Sequence, residues 1–143
     1  MAERATSGPG ELRRFVLEGR PVRGHWVRLG SSWRELCLHQ PHPPAVEALL
    51  GECVTAAVLL AATLKFQGTL TLQLAGSGCL GLLVAQCTHD FRLRGVARVD
   101  STPTADSGFR ALVGDGRLTV TIESEERAAR YQGIVPLEGA TLA

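Results

Sequence analysis

Lysine is nearly missing from this chain: Lys65 stands alone, and arginine supplies the rest of the fifteen basic side chains. Fourteen Asp and Glu offset them to a net charge of +1, which excludes a partner held by bulk charge, such as nucleic acid or an anionic membrane. Aromatics make up only 5%, so there is little from which to build a base-stacking platform. Long apolar runs are missing too. The longest, Val54 to Leu64, has eleven residues, against the roughly 20 that a spanning helix needs. Met1 to Arg14 carries no apolar segment of the secretory kind, so the chain is expected to be soluble and cytosolic. Cys37, Cys53, Cys79 and Cys87 are then expected as thiols, since disulfides rarely persist there. No two are spaced C-x-x-C, which excludes a redox motif or zinc ribbon. Serine-hydrolase, zincin and Walker A signatures are absent as well. Nothing here demands an enzyme.

What is present is a globular composition, 45% apolar and 20% charged, in a length suited to one domain. Residues 1–11, with Ser7-Gly8-Pro9-Gly10, are expected as a disordered tail, and residues 12–143 as the folded core. Phe15 to Leu29 reads as β-compatible runs broken at Gly19-Arg20-Pro21. Ser31 or Ser32 caps a short helix, Trp33 to Leu38, that the prolines at 41, 43 and 44 stop. Val46, Leu49, Leu50, Cys53, Val54, Ala57, Val58, Ala61 and Leu64 recur at three- and four-residue steps, the pattern of a long, central helix. The period then changes to two. Leu70, Leu72 and Leu74 alternate with polar residues, and four more strands follow: Cys79 to Cys87, Phe91 to Val99, Leu118 to Glu123 and Arg130 to Val135. A short helix ends at Val113. The expected fold is α+β: a mainly antiparallel sheet packed on a long central helix, with short accessory helices. Glu138 to Ala143 reads as a helix that has just begun, as in a piece of a longer gene product.

Four constellations invite chemistry. Gly76-Ser77-Gly78-Cys79-Leu80-Gly81 matches G-x-G-x-x-G after a strand, but a dinucleotide site also needs a helix next, whose amide terminus holds the pyrophosphate. Leu82 to Cys87 is a strand pattern, so the glycines are read as a hairpin turn. Cys37, His39 and His42 offer three zinc ligands where a structural site needs four, and they are read as a buried thiol with surface histidines. Arg92, Arg94 and Arg98 make a basic stripe diluted by Asp90 and Asp100, the basis of an alternative function as a β-rich RNA- or anion-binding domain. Cys53, Cys79 and Cys87 are read as inert buried thiols, with reactivity left open only at Cys37. Glu125-Glu126 is read as a surface loop. No catalytic, cofactor or metal residue is assigned.

A series of short stretches runs through the chain in order. They are Leu64-Lys65-Phe66, Gly68, Leu72-Gln73-Leu74, Gly76-Ser77-Gly78, Leu93-Arg94-Gly95-Val96-Ala97-Arg98, Leu112-Val113-Gly114 with Gly116, Tyr131-Gln132-Gly133-Ile134-Val135 and Leu137-Glu138-Gly139. Together they closely resemble the bacterial redox-regulated chaperones called heat shock protein 33, over Phe15 to Ala143. The resemblance implies an ATP-independent holdase core that binds unfolding client proteins under oxidative and heat stress, as a cytosolic dimer. In that family a helical linker and a C-terminal zinc module, with C-x-C and C-x-x-C, form the switch. Neither motif occurs in these residues, so no zinc or other cofactor is expected in this chain and none of its cysteines inherits a switch role. Cys79 stands where family members often carry proline. The client-contacting residues and the dimer geometry are left unassigned.

Overall fold

The computed structural model describes residues 8–104, 106–126 and 129–142. Two strands, β1 (Glu11–Leu17) and β2 (Val22–Arg28), form an antiparallel ribbon closed by a turn with Gly19 at φ +72°. Two helices follow, α1 (Ser31–His39) and α2 (Pro44–Thr63). Then come β3 (Gly68–Ala75), β4 (Leu80–Thr88), β5 (Leu93–Val99), α3 (Phe109–Val113), β6 (Arg117–Ser124) and β7 (Ala129–Pro136). The last five strands make one antiparallel sheet in the order β5-β4-β3-β6-β7. The α+β expectation holds.

Helix α2 organises the molecule. Pro44 starts it, where a missing amide hydrogen costs nothing. Val46, Leu49, Leu50, Cys53, Val54, Ala57, Val58 and Ala61 bury one face. By length and composition α2 is apolar enough to cross a membrane, but its apolar face is spent inside the protein, against β3, β4 and β5 on one side and β2 on the other. At Gly95 the helix approaches the sheet so closely that a Cβ would stand 3.3 Å from Leu50 and Val54. Leu70, Leu72 and Leu74 of β3 and Leu83, Ala85 and Cys87 of β4 supply the facing layer, buried as their two-residue period predicts. Each of these leucines contributes roughly 1.5–3 kcal/mol, and Ala85 and Cys87 less.

Several expectations change. The stretch read as a tail reaches too far: Glu11 already pairs with Arg28 in the ribbon, and the Gly8 carbonyl accepts from the Ser31 amide at 3.1 Å. Residues 1–7 lie outside the described residues. Neither serine caps α1; the cap position is Gly30, at φ 57°, and no side chain bonds there. Leu64 ends α2 instead of continuing its stripe, and it is exposed with Leu60. Phe91 is not in β5 but in the preceding turn, with φ 62°. The expected terminal helix does not form over residues 138–142, and Ala143 lies outside the described residues. Tertiary bonds hold this segment instead: the Leu137 amide donates to the Gly116 carbonyl, and the Arg110 guanidinium to the Glu138 carbonyl.

Candidate functional site

The glycine-rich segment is a turn between β3 and β4, as read. Its glycines serve contact with α3: a Cβ at Gly78 would stand 2.5 Å from the carbonyl oxygens of Ala111 and Leu112. The Ser77 and Cys79 amides, which a phosphate would need, donate to the Val113 and Ala111 carbonyls. The Ser77 hydroxyl accepts from the Asp115 amide. The cradle is filled by the protein's own backbone.

Cys37, His39 and His42 do not converge. The His39 ring bonds the Glu35 carbonyl oxygen at 2.8 Å, Cys37 faces Glu47, and His42 buries Nε2 without a partner. Among the described residues no three His, Cys, Asp or Glu side chains are placed to share a metal ion. Burial, then the Glu47 charge, raises the Cys37 thiol above its ordinary 9.0, so its thiolate is disfavoured. Burial pushes Cys53 up to about 12, with Glu52 adding, and Cys87 up to about 11, with Asp90 adding. Cys79 is only partly buried.

On the basic stripe, Arg92 pairs with Asp90 at 3.1 Å and Arg98 with Asp100 at 3.0 Å. The Thr88 hydroxyl chiefly, and Arg92 further, hold the Asp90 carboxyl below its ordinary range. Only Arg94 of the three lacks a carboxylate partner among the described residues. Nothing in this arrangement favours the RNA- or anion-binding alternative.

The distinctive surface is apolar. Directly opposed residues of an antiparallel pair share a face, so Tyr131, Gly133 and Val135 of β7 extend the face on which Ile122, Val120 and Leu118 of β6 lie. That face is covered by α2 over β3, β4 and β5, and the helix makes no comparable packing against β6 or β7. Tyr131 is left 62% exposed and Val135 51%. The opposite face is polar along its middle, where Gln86 donates to Thr71 and Gln132 to Thr121, each through its side-chain amide. A second apolar face lies on the ribbon. Phe15 and Trp26, 45% and 47% exposed, sit there with Leu17 and Val22, and the Phe15 ring covers Gly24. Sequence reasoning placed these strands but named no contact residue, since a period of two marks a face without saying whether another element covers it.

Among the described residues no metal-ligating cluster is assembled, and apolar side chains stand exposed on two sheet faces. Comparison with known proteins gives the family. Residues 10–143 match the family model described as Hsp33 protein, and the chain belongs to that family. It is 44% identical to a 33 kDa chaperonin of Cronobacter sakazakii over 133 residues, covering 93% of this chain and 45% of the relative. It is 43% identical to that of Pseudomonas aeruginosa over 134 residues, covering 93% and 45%. The crystal structure of the 33 kDa chaperonin of Thermotoga maritima, a heat shock protein 33 homologue, shares the fold with a TM-score of 0.80 at 21% identity, over 92% of this chain and 47% of that one. The chain thus spans a little under half the length of the relatives it matches. The family is one of chaperones and not of enzymes.

Proposed function

We propose that this chain is the client-binding core of an ATP-independent holdase, acting in the cytosol as a homodimer under oxidative and heat stress. The observation that carries the reading is the half-covered sheet. A contiguous exposed apolar patch marks a protein-interaction site, and here apolar side chains continue from the partly buried Leu118, Val120 and Ile122 onto the exposed Tyr131 and Val135. An unfolding client offers the same chemistry, apolar side chains in extended backbone, and β7 is an edge strand with backbone groups free to pair.

We further propose that these residues need neither zinc nor oxidation to bind. They contain no C-x-C or C-x-x-C pair, and the thiols of Cys37, Cys53 and Cys87 are shifted away from the thiolate. The deciding assay is suppression of aggregation of a thermally unfolding client, without ATP, in parallel with reductant, oxidant and zinc chelator. Equal protection in all three is expected. Absence of protection in every condition would sink the reading and leave the domain a scaffold. Protection that collapses on raising the salt would favour the RNA- or anion-binding alternative, since apolar capture does not weaken in that way.

A further inference from the structure

Three cations that pair with no carboxylate among the described residues meet in one cleft. On the ribbon face that turns toward α2, Leu12 and Val27 pack onto the core. The next pairs along that face are Arg14 with His25 and Val16 with Arg23. They run on to the C-terminal turn of α2, where Arg14, Arg23 and His25 enclose a cleft of about 500 Å³ with Leu59, Leu64 and Lys65. Among the described residues the ion pairs engage Arg13, Arg28, Arg92, Arg98 and Arg130. Arg14, Arg23 and Lys65 take part in none, and no carboxylate lines the cleft. The chain's single lysine is therefore spent where two free arginines already stand.

Like charges gathered over an apolar floor repel one another and focus a positive potential into the cleft. An anion relieves both effects, and the aliphatic floor asks for an apolar group beside it. We propose that this cleft binds an acidic–aliphatic polypeptide segment, one in which glutamate or aspartate alternates with leucine-like side chains. The carboxylates would meet Arg14, Arg23 and Lys65, and the aliphatic groups Leu59 and Leu64. Nucleic acid fits less well, because no Phe, Tyr or Trp lines the cleft for stacking and the whole chain carries a charge of only +1. The site lies on other elements than the half-covered sheet and goes beyond the client-binding reading, so the aggregation assay does not decide it.

The test is titration of the isotopically labelled chain with a short capped peptide of alternating leucine and glutamate, followed by amide NMR and by anisotropy of a dye on the peptide. Shifts confined to Arg14, Arg23, His25, Leu64 and Lys65 are expected. Binding should weaken at least about tenfold when glutamine replaces glutamate, and steeply between about 50 and 500 mM NaCl. Arg14→Glu/Arg23→Glu/Lys65→Glu should weaken it at least as much, and the neutral Arg14→Gln/Arg23→Gln/Lys65→Gln should do so in part. The remote Arg34→Glu/Arg117→Glu should leave it unchanged. Circular dichroism checks that each variant folds. Equal affinity for the glutamate and glutamine peptides, shifts centred elsewhere, or no binding would overturn the proposal. So would tighter binding of oligothymidylate or of phosphatidylserine vesicles than of the peptide.

Discussion

At the scale of single residues, the cysteines show how burial decides chemistry that composition leaves open. Cys53 and Cys87 are buried among aliphatic side chains, where a thiolate loses its hydration without gaining a cation. Their folded-state values, about 12 and about 11, lie above the ordinary 9.0. The folded chain therefore holds its thiol protons more tightly than the unfolded one. This contribution is fully present below pH 9 and is lost as the pH rises toward 11 and 12. Urea midpoints should accordingly fall between pH 9 and 11, and the fall should be shallower in Cys53→Ala/Cys87→Ala. A decline of equal steepness in that variant would show that other groups control the alkaline limb. Cys37 follows the same physics: burial first, then the carboxylate of Glu47, disfavours its thiolate, as Glu52 and Asp90 add to burial at Cys53 and Cys87. Its spacing to His39 and His42 suggested a ligand set, but spacing along a chain says nothing about direction. The His39 ring bonds the Glu35 carbonyl oxygen instead, and among the described residues no three such side chains gather.

At the scale of elements, the turn from β3 to β4 is a contact made by absence of side chains. Gly76 and Gly78 let the backbone of α3 and its following turn lie against the hairpin, close enough for the Ser77 and Cys79 amides to bond Val113 and Ala111. Gly78→Ala would force a methyl to 2.5 Å from two carbonyl oxygens and should cost about 3 kcal/mol. Gly133→Ala, in the edge strand β7 with nothing within 4 Å, should change stability by less than about 0.5 kcal/mol. Urea unfolding of the two variants measures the contrast; similar losses would mean that β7 packs against something its exposure does not suggest. The glycine pattern was legible in the sequence, and so was its reading as a turn, because the strand pattern after Gly81 leaves no helix to hold a phosphate. The partner across the turn was not legible. It comes from residues more than thirty positions away.

At the scale of the whole molecule, one helix is shared between two sheets, and it is too narrow for the larger one. A helix with its side chains is about 10–12 Å across, while five strands at about 4.8 Å spacing span nearly twice that. Placed over β5, β4 and β3, α2 makes no comparable packing against β6 or β7, and β6 is left partly buried and β7 exposed. The exposed apolar surface follows from that geometry. Tyr131→Lys/Val135→Lys should lower ANS fluorescence and client protection together while leaving the thermal midpoint nearly unchanged, since both side chains are more than half exposed. A variant that lost the dye response but protected clients in full would move the client site to the other bare face, around Phe15 and Trp26.

By itself the sequence determined where α2 lies, the two-residue period of the strands, the hairpin turn at Gly76 to Gly78 and the family resemblance. All of these are local or ordered patterns, in which each residue's neighbours along the chain carry the information. Tertiary structure decided which apolar face is covered, which arginines find carboxylates and which ones are left to gather in the cleft by α2. These outcomes depend on the lateral offset of one helix over one sheet and on the course of a ribbon joined to it by contacts distant in sequence. No periodicity encodes an offset, so the strand pattern of Arg130 to Val135 did not say that Tyr131 and Val135 stand at the surface of the fold.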